Sequence, residues 1–145
     1  MSSTSTGDRF TAGMRETIER AKASVLKYKH THVTPEHMLL GVVDGSDPLV
    51  QKGLKTGKAT PAQIRVLVEH HMRPGDLVLK EEQLTFSERA KRVIEAASEE
   101  AKLTQKEQIG PEHLLLGLAR VRNTVASAVL AAIDLHEDEL RKAIG

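Results

Sequence analysis

The chain has 145 residues, 39% hydrophobic and 28% charged, which is enough for one compact soluble domain of ordinary composition. Its 21 basic and 20 acidic residues are intermixed and leave a net charge of +1, so no single-sign field exists to hold nucleic acid or an anionic bilayer. Cysteine is absent, which excludes disulfides, thiol catalysis and cysteine-ligated zinc and fits a reducing compartment, the cytoplasm or an organelle stroma.

Residues 1–8 are rich in Ser and Thr, lack the apolar stretch of a secretory signal, and read as a flexible tail. A first helix is predicted behind the N-cap Thr11, with Met14, Ile18, Ala21 and Val25 on one face. The second opens at Pro35, a residue suited to the first helical position because its missing N–H costs nothing there, with Thr34 as its cap. A third follows Asp47-Pro48 and buries Leu49, Val50 and Leu54, and a fourth starts at the capping box Thr60-Pro61-Ala62-Gln63 and buries Ile64, Leu67 and Val68. Residues 72–84 contain the turn signal Arg73-Pro74-Gly75-Asp76 and read as a linker, partly ordered against the core.

The same order then repeats. Pro35-Glu36-His37-Met38-Leu39-Leu40-Gly41 returns as Pro111-Glu112-His113-Leu114-Leu115-Leu116-Gly117, and the offset of 76 residues also carries Phe10 onto Phe86 and Ile18 onto Ile94. Ser87 is the expected cap of a helix whose face is Ala90, Ile94, Ala97 and Ala101, and Gly110 the cap of the next. Val125, Ala126 and Leu130 continue the match, and Asp134-Leu135-His136-Glu137 reads as a capping box before Leu140, Ala143 and Ile144. No stretch alternates enough for a sheet. The expected fold is all-α: eight helices in two pseudo-twofold-related four-helix repeats, residues 9–71 and 85–145, forming one compact domain.

Glu36 and Glu112 fall in the first turn of a helix, where a carboxylate gains from the positive end of the helix dipole. The functional reading is an acid at each of two helix mouths, near Thr11 or Ser87 of the preceding helix, offering a polar pocket to a basic or guanidinium group. His37 and His113 lie beside these acids, but the order Glu-His followed by leucines lacks the His-Glu-x-x-His spacing of a zinc helix, so they are expected to cap or pack. His30, His32, His70 and His71 have no equivalent in the second half, where Lys106 and Gln108 replace the first pair, and are expected in a solvated loop rather than at a metal. Phe10 and Phe86 read as hydrophobic staples that offer apolar anchors if partly exposed. There is no phosphate-binding Gly-x-x-x-x-Gly-Lys-Ser/Thr loop and no Gly-x-Ser-x-Gly elbow, so no catalysis and no cofactor are expected.

Two copies of Phe-Thr/Ser, then a helix, then Val/Ile-x-Pro-Glu-His-x-Leu-Leu-Gly, resemble the double Clp N-terminal repeat that heads AAA+ unfoldases such as ClpA, ClpB and ClpC. The resemblance runs from Arg9 to Ile144 and includes Phe86-Ser87-Glu88-Arg89-Ala90-Lys91-Arg92-Val93-Ile94. It implies a module that binds client and adaptor proteins for a Clp ATPase ring, either as the head of an unfoldase or as a free-standing accessory. It implies Glu36 and Glu112 facing phosphorylated arginine, with the hydroxyls of Thr11 and Ser87 nearby; Phe10, His37, Phe86 and His113, beside them in the sequence, complete the candidate client- and adaptor-binding set. Where the family pattern has Gly-Thr before Glu-His, this chain has Thr34-Pro35 and Gly110-Pro111, so each site lacks a hydroxyl and an amide donor. The other class of function considered is a small regulator that binds a metal or ligand through its histidines.

Overall fold

The computed structural model describes residues 6–145; residues 1–5 of the expected tail lie outside them. Thr6–Arg9 forms a 3-10 turn, so the chain is already folded before the expected start of the first repeat. The described residues contain eight α-helices: α1 (Ala12–Lys27), α2 (Pro35–Val43), α3 (Pro48–Leu54), α4 (Pro61–His70), α5 (Glu88–Leu103), α6 (Pro111–Arg120), α7 (Val125–Ala132) and α8 (Glu137–Ile144). The fold is all-α.

Capping chemistry sets most of the helix starts. The Thr11 hydroxyl accepts the Met14 amide at 3.0 Å and the Ser87 hydroxyl accepts the Ala90 amide at 3.1 Å. Asp47 accepts from the amides of Leu49 and Val50, and Thr60 and Gln63 exchange the reciprocal bonds of a capping box at 3.1 and 2.8 Å. The helix ends repeat as well. Lys29 and Gln105, which follow α1 and α5 at equivalent positions, both have φ 58°, the left-handed turn that stops a helix.

α8 departs from the expected start. Its N-cap is His136, without a side-chain cap bond, while Asp134 turns away at φ 60° and pairs with Lys58 at 2.8 Å. An ion pair across the repeats thus takes the carboxylate that a capping box would need. Three expected core positions also shift outward: Leu49 and Ile94 are half-buried and Leu67 is exposed. Periodicity alone puts Ile94 on the apolar face of α5, yet the helix is rotated so that Val93 is fully enclosed instead.

Packing follows the duplication. α1 lies on α2 and α5 on α6; α2 meets α6 between the repeats, α3 packs on α8, and α4 on α7. At the two within-repeat crossings the motif glycine is sterically required. A Cβ at Gly41 would stand 2.6 Å from the Thr17 carbonyl oxygen, and one at Gly117 would stand 2.6 Å from that of Val93, the residue equivalent to Thr17. The leucine runs that follow Glu36-His37 and Glu112-His113 are wholly buried and join both repeats in one continuous core with Met14, Ile64 and Leu140. Glu100, also fully buried, ties α8 and α6 to α5: it takes a two-pronged bond from Arg141, each prong 2.9 Å, and a third from Arg120 at 3.3 Å. The Arg141 bonds, outweighing burial, hold its carboxyl below the usual carboxylate range.

The described residues also contain a short sheet that the sequence pattern did not show. β1 (His32–Val33) pairs in parallel with β2 (Thr85–Phe86), Val33 opposite Phe86, and the Ser87 amide continues the ladder onto the Val33 carbonyl at 3.0 Å. At the equivalent place in the other half, Phe10 bridges Ile109, with the Thr11 amide on the Ile109 carbonyl at 3.0 Å and the Ile109 amide on the Arg9 carbonyl at 2.7 Å. Two-residue strands are too short to carry an alternating pattern, which is why no sheet was legible. Phe10 and Phe86 therefore contribute backbone to the ladders, and their half-buried rings pack against the core.

Gly41→Ala should cost about 1–3 kcal/mol or more, because backbone, and not a movable side chain, stands in the way of the added methyl. Chemical denaturation followed by circular dichroism checks this. A variant as stable as the parent would show that the crossing can widen freely.

Candidate functional site

The cross-paired ladders decide which acid meets which hydroxyl. Each joins the entry of one repeat's first helix to the entry of the other repeat's second helix, so the expected pairing of Glu36 with Thr11 and of Glu112 with Ser87 is exchanged. Glu36 shares a cleft with Ser87 and Glu88 from the second repeat, while Thr11 is bonded to the strand that leads into Pro111-Glu112. The cleft measures about 870 Å³, and the segment that follows α4, including Arg73, also lines it.

Beneath Glu36, His37 is 2% exposed. Its Nδ1 accepts the Thr34 amide at 2.9 Å, with the Thr34 hydroxyl also at 2.8 Å, which is the N3 partner's role in a capping box. The proton is thereby placed on Nε2, which lies 2.8 Å from His30 Nδ1; His30 Nε2 in turn donates to the Arg73 carbonyl at 2.5 Å. Thr34, His37, His30 and Arg73 form one hydrogen-bonded chain. It pins the post-α4 segment at the rim, helped by the Gly75 amide on the Tyr28 carbonyl at 2.8 Å. Burial, with the neighbouring His30 in support, pulls the pKa of His37 down to about 4, so the ring is neutral and structural at neutral pH.

His30 is consequently not in a solvated loop: it is half-buried and bonded on both ring nitrogens. His32 is exposed in β1 beside Thr31, and the exposed His70 and His71 rings stand edge to face 5.7 Å apart. Among the described residues no group of three or more His, Asp or Glu side chains converges as a metal ion would require.

In the second repeat His113 repeats the inward role, its Nδ1 accepting the Gly110 amide at 2.9 Å. Lys106 stands where His30 stands in the first, and the outer nitrogen of His113 instead faces its own neighbour, with Nε2 4.0 Å from Glu112 Oε2. Burial is the main cause that lowers the pKa of His113, with Glu112 opposing it. Sequence reasoning did not find the contributions of His30, Arg73 and Glu88 to the cleft. The absence of a His30 counterpart in the second repeat was visible, but only the fold shows that this asymmetry reaches the site.

The chain matches the family described as Clp repeat (R) N-terminal domain over residues 9–133. It belongs to the Clp N-terminal repeat family. It is 31% identical over 141 residues to the ATP-dependent Clp protease ATP-binding subunit ClpC of Staphylococcus saprophyticus, covering 94% of this chain and 17% of that protein. It is 32% identical over 137 residues to a ClpA homolog of Cyanidium caldarium, covering 94% and 16%. The Clp repeat chain thus spans about a sixth of the length of these curated relatives. In fold it resembles the N-terminal domain of ClpD from Arabidopsis thaliana, with a TM-score of 0.76, 24% identity and 99% and 96% of the two chains covered. It also resembles the N-domain of ClpV from Vibrio cholerae, with a TM-score of 0.74, 18% identity and 92% and 81% covered.

The buried His37 makes this Clp repeat domain sensitive to acid. Between pH 6.5 and about 4 the unfolded chain takes up a proton that the folded one refuses, so stability present above pH 6.5 is lost as the pH falls. His37→Gln keeps an acceptor at the third helical position and removes the titration. The parent should lose about 2 kcal/mol more than this variant between pH 7 and pH 5. Urea denaturation of both at the two pH values measures it, and equal losses would mean that His37 is protonated alike in both states.

Proposed function

We propose that the chain is a protein-interaction module, without catalysis of its own, that receives client or adaptor proteins for a Clp ATPase ring. The ring stands in the same polypeptide or, for a free-standing accessory, in a separate one. The observation that carries this reading is the composite cleft, in which Glu36 from one repeat and Glu88 from the other line one opening. A carboxylate at this opening suits a lysine or arginine side chain of a client segment, held by charge-assisted hydrogen bonds; Glu36 is the nearer candidate, since Glu88 is paired with Lys91 at 3.0 Å. Membership of the Clp N-terminal repeat family supports the same reading.

The helix start beneath Glu36 favours an unmodified basic side chain over phosphorylated arginine. Pro35 brings no N–H to the helix start, and both the amide and the hydroxyl of Thr34 are engaged with the His37 imidazole. A phosphate would find few donors at that helix start, although Lys29, Arg73 and Ser87 stand elsewhere around the cleft. Nucleic acid and membrane are not proposed as partners: acids and bases balance along the sequence, and among the described residues no single helix is long and apolar enough to cross a membrane. A cytoplasmic or stromal location goes with this role.

Binding of fluorescently labelled unfolded casein, read by anisotropy, tests the assignment. Glu36→Ala should weaken it about tenfold, the loss of one charge-assisted bond, while leaving helicity unchanged. Unchanged affinity would remove the cleft as the client site. Capture of Clp ring subunits from native lysate by the parent chain tests the wider role.

A further inference from the structure

The two repeats do not present equivalent pockets, and one sequence difference explains how they diverge. At the residue before the motif proline the first repeat has Thr34 and the second has Gly110, both in extended backbone with φ of −110° and −105°. In the second repeat the Glu112 side chain has folded back into the space that a side chain would fill. A Cβ at Gly110 would stand 2.2 Å from Glu112 Oε1 and 3.1 Å from Oε2. The carboxylate there is 14% exposed and has His113 Nε2 4.0 Å away. In the first repeat Thr34 carries a Cβ at that place, and Glu36, half-buried like Glu112, lines the cleft instead. His30 reinforces the difference by occupying the outer nitrogen of His37, whereas Lys106 leaves that of His113 to Glu112. The Arg9 position also differs between the two sides: the Arg9 guanidinium bonds the Glu107 carbonyl at 3.0 Å and Ser98 Oγ at 2.8 Å. The residue equivalent to Arg9 on the side of the first repeat's cleft is Thr85, which is too short to do the same.

We propose that the second repeat's pocket is filled by the chain's own Glu112 carboxylate, so that this two-repeat domain grips a single basic side chain, at Glu36, and that the residue before the motif proline decides whether a repeat is open or closed. The inference rests on the reading of the first cleft as a client site. It makes the duplicated acids unequal despite their identical motif. One takes the guanidinium or ammonium group of a client, and the other lies back over its own helix start.

Two measurements on the full chain test it. Coupling of glycine ethyl ester to carboxylates with a water-soluble carbodiimide, mapped by mass spectrometry, needs no ligand. Glu36 should label several-fold faster than Glu112, Gly110→Thr should raise Glu112 to the rate of Glu36, and Thr34→Gly should slow Glu36. Gly110→Thr is expected to fold, because its backbone is extended and the atoms it displaces are the far end of a flexible carboxylate. Equal labelling of the two acids in the parent overturns the proposal.

The second measurement titrates N-acetyl-arginine amide against the parent and Gly110→Thr while following backbone amide shifts. The amides of Glu36, His37 and Ser87 should move in both proteins, and those of Glu112, His113 and Thr11 only in the variant. Movement of both sets in the parent refutes the closed second pocket and leaves the client-site reading intact. Movement of neither set refutes that reading and this inference with it.

Discussion

At Gly41 and Gly117 the second helix of each repeat comes so near the first that a methyl group would stand 2.6 Å from a backbone carbonyl oxygen. That closeness fixes the distance and angle between α1 and α2 and between α5 and α6. Because α2 and α6 then meet each other in the middle of the molecule, it fixes the relation of the repeats as well. The apolar residues just before each glycine, Leu39 and Leu40 or Leu115 and Leu116, are wholly buried, so a crossing that widened would open cavities in the core common to both halves. Everything at the helix starts, including the cleft, inherits its position from these two contacts.

The ladders then decide what the crossings alone leave open. A parallel pairing of Val33 with Phe86, and a bridge of Phe10 with Ile109, each bind one repeat to the other within a residue or two of a motif helix. These bonds are few, yet each one satisfies backbone groups that the approach to a helix would otherwise leave unpaired. Their consequence for chemistry is larger than their energy. They make the cleft a joint property of both repeats, lined by Glu36 from one and by Ser87 and Glu88 from the other. A single four-helix unit could not form it.

Much of the fold was legible because helix signals are local. Pro at the first position, hydroxyl caps, a Gln three residues after Thr60 and the spacing of Met14, Ile18, Ala21 and Val25 each predict something that the next turn of chain can confirm. The failures are the places where the deciding partner is distant in sequence. Asp134 looks like a cap until Lys58 of the other repeat claims it, and His30 looks solvated until the Arg73 carbonyl closes over it. The site was legible to the same extent. The acids and the hydroxyls were recognisable as a repeated set, but which acid faces which hydroxyl depends on a cross-pairing that two-residue strands do not announce.

The motif itself sorts into roles once helix positions are counted. Pro35 and Pro111 hold the first helical position without an amide to satisfy, and His37 and His113 turn inward at the third to accept the backbone N–H of Thr34 or Gly110. Burial that keeps His37 neutral also removes it from any role as a cation or an exposed ligand. Only the glutamate between them is left to face outward, and what it meets depends on whether the preceding residue carries a Cβ. With Thr34 the acid stands over an open cleft; with Gly110 it lies back over its own helix start. Proline, glutamate and histidine therefore make a well-capped helix start in either repeat, and the position just before them differs between the acid that lines a cleft and the one that lies back over its own helix.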